Sequence, residues 1–257
     1  MTEKPTKILE MLIEKGTTIL REPYHDEKFS ENDKANELLL DIKCYPHAFV
    51  LACVMDRQMK AERVWEIPYK VAQEIGGFEF DKLSKLSAKE YKQVFSKKDA
   101  NSGLGYHRFP DMMAECFYEA VKLIDNEYNG DASKIWIGNP SSGDVVIRFL
   151  RFKGVGVKIA TMAANILARS FKVPMTDHRC IDISPDRQVM RVFERIGLIV
   201  KGAGVDELVY RAREIYPEYP GVFDYTCWEI GRNWCRPDNP ACSECYLDKL
   251  CPKIIGK

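Results

Sequence analysis

The sequence predicts an all-α protein, and three observations carry that class. Apolar residues recur at i, i+3, i+4 and i+7 in segment after segment. Strand-like alternation is scarce. Several of the periodic stretches close on Gly or Asn-Gly, the usual left-handed stop of a helix.

The 257 residues suffice for one large domain or two modest ones, and 46% hydrophobic with 30% charged residues describes a globular chain with a buried core. The first residues, MTEKPTKILEMLIEKG, interrupt each apolar run with charge, so they fit neither a secretory signal nor a membrane anchor, and no later run reaches spanning length. A cytoplasmic protein, nucleoid-associated in a prokaryote, is the expectation. Lys plus Arg and Asp plus Glu balance at 38 each, so a polyanion-binding surface has to be a local basic patch.

The elements follow in order. PHAFVLACVMDRQMK reads as a helix over 46–60, and AERVWEIPYKVAQEIGG as another, broken at Pro68. RFPDMMAECFYEAVKLIDNEYNG places Met113, Cys116, Phe117, Ala120, Val121 and Ile124 on one stripe, and Asn129-Gly130 ends it. KIWIG is a short strand-like piece. VKIATMAANILARS repeats the helical stripe at Ile159, Met162, Ala163, Ile166 and Leu167, and RQVMRVFERIG repeats it at Val189, Val192, Phe193 and Ile196. Nearly all of these stripes are ordinary core.

Nine cysteines divide into two sets. Cys44, Cys53, Cys116, Cys180 and Cys227 are scattered, read as buried small hydrophobes. The odd count argues against a disulfide framework. The other four stand in WCRPDNPACSECYLDKLCP as C-x6-C-x2-C-x5-C, at Cys235, Cys242, Cys245 and Cys251. Four thiolates this close suit one metal centre, and four cysteines are the usual ligation of a [4Fe–4S] cluster. Structural zinc accepts the same donors but normally sits between two C-x2-C knuckles, and here only Cys242 and Cys245 form one. Arg232, Arg236 and Lys249 surround the loop, as ordinary surface charge or as contacts to a phosphate backbone.

Upstream, DVVIRFLRFKGVGVKIATMAANIL gives an apolar helix, a turn and a second helix starting near Val157. Gly154 and Gly156 bracket the turn, where absent side chains let backbone N–H groups approach a phosphate, and the helix dipole favours the same anion. This is a helix-hairpin-helix pattern, although an ordinary tight turn can share it. Lys158 stands in the first turn of the second helix, against the electrostatic preference of that end; with partial burial this favours the neutral, nucleophilic amine. A second phosphate-binding lysine is the plainer role. Farther on, Asp186 opens the next helix in SPDRQVMRVFERIGL, where capping alone accounts for a Ser-Pro-Asp start.

Gly-Val-Gly-x-Lys, then Asp-x-x-Val-x-Arg-Val-x-x-Arg-x-Gly-Leu, then the four-cysteine loop occur in this order. That order resembles the endonuclease III branch of the helix-hairpin-helix DNA glycosylase superfamily, across roughly residues 45–252. The resemblance implies a two-lobed fold: a helical barrel over 44–171 ending in the hairpin, and a second lobe of 1–43 and 172–257 with the cluster loop. It implies a monomer that binds double-stranded DNA containing a damaged base or an abasic site. Lys158 would form a Schiff base with the sugar, and Asp186 would assist as the carboxylate. Gly154, Gly156 and Lys153 would meet the DNA backbone, and Gln58, at the end of an early barrel helix, would fill the gap left by the flipped nucleotide. Together these imply a base-excision glycosylase with abasic-site lyase activity on damaged bases such as oxidised pyrimidines.

The sequence departs from the family at three places. Phe152-Lys153 replaces Leu-Pro, Asp186-Arg187-Gln188 replaces Asp-Thr-His, and the stretch from Lys158 to Asp186 is longer. The added segment, FKVPMTDHRCIDISP, contains Asp177, a rival carboxylate, beside His178, and Asp182. It leaves the preferred base open. Other readings are a monofunctional mismatch or uracil/thymine glycosylase and a non-catalytic DNA-binding iron–sulfur protein. The adenine-specific branch usually lacks the lysine that Lys158 supplies, and a redox carrier would need no DNA affinity.

Overall fold

The computed structural model describes residues 3–23, 28–98 and 103–255. Among them, regular structure is helical, and the one extended pairing is a single bridge between Lys98 and Gly105. No helix among the described residues is long and apolar enough to cross a membrane. The chain forms two compact units. One comprises Met1–Tyr24, Ser141–Val146 and Ala164–Lys257, and the other His25–Pro140 and Ile147–Ala163. The divisions thus fall at 24/25 and 163/164, with a crossing at 141–146, rather than at 43/44 and 171/172.

In the unit built on His25–Pro140, helices α2 (Asp33–Leu40), α3 (Pro46–Met55), α4 (Ala61–Val64), α5 (Ile67–Ile75), α6 (Phe80–Ser84), α7 (Ala88–Ser96) and α8 (Pro110–Tyr128) follow one another. Every residue of α3 is buried, which is why its sequence is apolar all round rather than striped. Helices α2, α5 and α8 pack against it. Phe49 projects from α3 to Trp65, Trp136 and Phe149, at centroid distances of 6.0, 6.3 and 6.4 Å. α7 starts with a reciprocal cap between Ser87 and Glu90, and α8 ends on left-handed Asn129, as its sequence predicts.

Three expectations change here. The helix of 46–60 stops at Met55, so Gln58 lies beyond it. Pro68 sits in the first turn of α5, with the break just before it at Trp65 and Glu66. The strand-like KIWIG forms no strand: its first two residues close a 3₁₀ turn over Ala132–Ile135, begun by Asp131 accepting from the Ser133 amide at 3.0 Å.

The other unit is built on α1 (Glu3–Arg21), α11 (Arg187–Arg195), α12 (Val205–Ile215) and α13 (Val222–Asn233). Helix α13 packs on both α1 and α11. Leu12, Val192, Phe193, Phe223 and Ile230 form its centre, with the rings of Phe193 and Phe223 edge-on at 5.8 Å. The chain passes from unit to unit within α9 (Ser142–Leu150) and within α10 (Val157–Arg169).

Candidate active site and cysteine loop

The hairpin joins α9 to α10. Phe152 is buried and packs its ring 6.1 Å from that of Phe149, which fixes the turn from below. Gly154 has φ +86°, and a Cβ there would lie 3.1 Å from the Cys116 Sγ. Left-handed backbone and a close neighbour together make glycine the residue that fits. Gly156 differs: its φ is ordinary and a Cβ would meet nothing within 4 Å. Only Gly154 shapes the turn, while Gly156 leaves open space before the first turn of α10. The amides of that turn have no partner within the helix.

Lys158 is the second residue of α10 and is exposed, so the partial burial expected from the sequence is absent. Lys153, also exposed, is ion-paired to Glu115, so a phosphate would have to compete with that carboxylate. Arg57 reaches back to the hairpin, its Nη2 3.5 Å from the Gly154 carbonyl and its Nη1 3.6 Å from Met112 Sδ. Gln58 follows Arg57 on an exposed turn, with φ +49°. The structure thus brings the Gln58 turn and the hairpin together through Arg57. Sequence periodicity could not reveal that, because Arg57 belongs to neither helix.

In the other unit, Asp186 caps α11, accepting from the Gln188 amide at 2.7 Å. It is half-buried. Residues 171–185 contain no regular element but are pinned at several points. Asp177 accepts from the Ser142 hydroxyl at 2.6 Å and from the Arg179 amide at 3.1 Å. The Ser142 hydrogen bond leads in holding its carboxyl below the usual value. Asp182, 6% exposed, takes the Arg213 guanidinium on both oxygens at 2.7 Å. The Gly221 amide donates to the Ile181 carbonyl at 2.7 Å, and a Cβ on Gly221 would stand 2.9 Å from that oxygen, so the approach needs glycine. Asp177 and Asp182 therefore have structural partners in this segment.

Sequence reading missed a fourth carboxyl. Asp224, in the first turn of α13, is half-buried and accepts from the Asn165 side-chain amide at 3.3 Å. Burial first, and then the Asp186 charge, push its carboxyl up to about 6, while Arg169 opposes the shift. In the sequence it looks like any acidic residue at a helix start.

The cysteine loop hangs from α11 and α13. Arg191 donates from Nε to the Cys235 carbonyl at 2.6 Å and from Nη2 to the Gly231 carbonyl at 2.9 Å. Arg195 donates to the Arg236 and Pro237 carbonyls at 2.6 and 2.8 Å, and its Nη1 lies 3.5 Å from Cys235 Sγ. The Lys253 amide donates to Cys251 Sγ at 3.4 Å. Cys235, Cys242, Cys245 and Cys251 are all half-buried. Burial pushes the Cys245 thiol up, and Cys251, Cys235 and Cys242 push it the same way. Among the described residues, no three His, Cys, Asp or Glu side chains converge to hold a metal ion. The donor chemistry suits a polynuclear centre, whose thiolates each bind a different iron and stand farther apart than ligands of one ion. Of the scattered cysteines, Cys53, Cys116 and Cys227 are buried as expected, but Cys44 and Cys180 are exposed.

No family model matches the chain. Endonuclease III of Thermotoga maritima is 31% identical over 139 residues, 54% of this chain and 55% of that protein, so the match spans about half the length of the curated relative. A trapped covalent endonuclease III–DNA intermediate superposes with a TM-score of 0.60 at 17% identity, covering 98% of this chain and 97% of that one. A thermostable thymine-DNA glycosylase superposes at 0.59 and 15% identity, covering 98% and 96%. The all-α architecture described above is the fold of the endonuclease III-like helix-hairpin-helix DNA glycosylases.

Proposed function

We propose that the chain is a DNA glycosylase that removes damaged bases from duplex DNA and cleaves the resulting abasic site as a lyase. The observation that carries this reading is the hairpin, with Lys158 exposed on the first turn of α10 directly after the left-handed Gly154 turn. In the endonuclease III fold, such a turn presents backbone amides and a helix N-terminus to a phosphate. The Lys158 amine stands at the same end, free of burial.

The chemistry follows from what these groups can do. A base in the stack is beyond reach of a side chain, so the nucleotide has to be extruded. The exposed Gln58 suits the space it vacates. Asp186, as carboxylate, stabilises positive charge growing on the sugar as the base leaves. The Lys158 nitrogen forms a bond to C1′ as the bond to the base breaks, its proton passing to the leaving base; opening of the C1′–O4′ bond gives the imine, and proton loss from C2′ to water then expels the 3′ phosphate. Gly154, Gly156 and Lys153 serve the backbone. Cys235, Cys242, Cys245 and Cys251 would hold a [4Fe–4S] cluster, which when bound ties the loop into one rigid piece. Arg191 and Arg195 brace that loop from α11.

The test is borohydride trapping on duplex oligonucleotides carrying an abasic site or thymine glycol. A covalent adduct that disappears in Lys158→Ala is the expected result. Alkali-labile base loss without an adduct supports the monofunctional alternative and removes Lys158 from the nucleophile role. DNA binding with neither product, over a panel that includes uracil and 8-oxoguanine, leaves a binding protein.

A further inference from the structure

Gln58 stands on a turn held from outside its own sequence. Its backbone is left-handed at φ +49°, a conformation that a non-glycine residue keeps where its surroundings enforce it. Those surroundings are the residues that lead into α8, and at their centre is His107, 3% exposed. The Phe109 amide donates to His107 Nδ1 at 3.0 Å, so the ring proton is on Nε2. Nε2 stands 3.2 Å from the carbonyl of Met55, the last residue of α3, and donates to it. The same carbonyl accepts the Arg57 amide at 2.7 Å, the bond that opens the turn. Burial lowers the ring from its ordinary value, in keeping with the neutral form.

Three further bonds run beside the ring. The Arg108 amide donates to Met59 Sδ at 3.2 Å, and Arg63 Nη2 donates to the Gly105 carbonyl at 3.1 Å. Arg57 reaches Met112 Sδ and the Gly154 carbonyl of the hairpin. An apolar ring at 107 would fill the same space, but it would leave the Phe109 amide unpaired and the end of α3 untied.

We propose that His107 is a positioning residue for Gln58: its ring ties the Met55 carbonyl to the Phe109 amide and so holds the 56–60 turn ready for DNA. The inference rests on the reading of Gln58 as the group that fills the gap left by the extruded nucleotide. A turn already in shape needs no ordering on binding, which favours a duplex with a gap to fill. Undamaged duplex, gripped through its backbone alone, gains nothing from it.

Two substitutions divide the roles of the ring. Asparagine places an oxygen where Nδ1 stands but is too short for Met55, whereas glutamine places its amide nitrogen where Nε2 stands. The full-length, cluster-loaded protein is titrated with a duplex carrying tetrahydrofuran, an abasic analogue that resists cleavage, and with the undamaged duplex. His107→Asn should weaken the analogue complex by about threefold to tenfold, the worth of one hydrogen bond, and leave undamaged binding within about twofold. His107→Gln should restore the preference for the analogue. His107→Leu, which keeps the volume and loses the bond, serves as the test if His107→Asn does not fold. In a Gln58→Ala background His107→Asn should cause no further loss, because its effect passes through Gln58. Equal weakening on both duplexes, or a full further loss in Gln58→Ala, overturns this inference alone. A wild-type preference that survives Gln58→Ala removes the reading of Gln58 and this inference with it. A wild type without any preference overturns the damaged-DNA reading as well.

Discussion

Arg191 reaches from α11 to the carbonyl of Cys235, the first cysteine of the loop, at 2.6 Å. Burial lowers the Arg191 guanidinium from its ordinary value, and its partners here are carbonyls and the Gln188 side chain rather than a carboxylate. Each such bond to a charged donor contributes about 1.5–3 kcal/mol. Arg191→Ala should therefore leave the fold of α11 in place but loosen the loop. Purified variant protein should contain fewer irons per chain and lose its visible absorption sooner under oxidation or chelation. Unchanged iron content and loss rate would show that the loop holds its shape without this arginine.

The Asp182–Arg213 pair anchors the added segment. Removing one partner of a buried pair costs about 3–5 kcal/mol. Arg213 is 46% exposed at the side chain, which reduces the loss in Arg213→Ala to about 2 kcal/mol. In a chain of this size that is a fall in Tm of about 4–8 °C. Differential scanning calorimetry reads it directly, and a fall under about 1 °C would mean the segment is held by the Ser142 and Gly221 contacts instead.

Gln58 holds a left-handed backbone with a side chain that gains nothing from it in the free protein. Gln58→Gly removes that strain, worth about 1 kcal/mol. Thermal stability should rise slightly while affinity for lesion duplexes falls. If both fell, the side chain would be supporting the turn rather than the DNA.

The pH dependence of stability has a definite sign at Asp224. Its folded value, about 6, lies above the ordinary carboxylate value of 3.8, so the folded state holds the proton more tightly. The resulting stabilisation is present below about pH 4 and disappears as pH rises through 6. An ionised Asp224 then costs on the order of 2–3 kcal/mol above that value. Asp224→Asn should be more stable than wild type at pH 8 and level with it at pH 4, as followed by urea denaturation. A constant difference across that range would place the titration elsewhere.

Much of the fold was legible because its signals are local. The stripes and stops of α8, α10 and α11 depend on residues three or four apart, and the structure repeats them almost to the residue. The hairpin and cysteine loop were legible for the same reason. The errors came from what sequence neighbours cannot report. α3 is apolar all round, so no stripe marked its end, and Gln58 was read as helical. KIWIG alternates, yet its start belongs to the 3₁₀ turn that Asp131 caps. Asp224, Asn165 and Tyr219 meet only through folding, and each is unremarkable in its own segment.

The close packing of α1 on α13 also orders events in time. Their sequences are made about 200 residues apart, so α1 leaves the ribosome long before its partner exists, and long-range contacts of this kind form late. The unit that carries Lys158 is complete once Ala163 has been made and can fold during synthesis. The unit that carries Asp186 has to wait for the last third of the chain, and the cysteines arrive last of all. A growing chain therefore completes the unit with Lys158 well before the unit with Asp186 and the four-cysteine loop, and under the function proposed above an unfinished product would grip DNA without releasing a base.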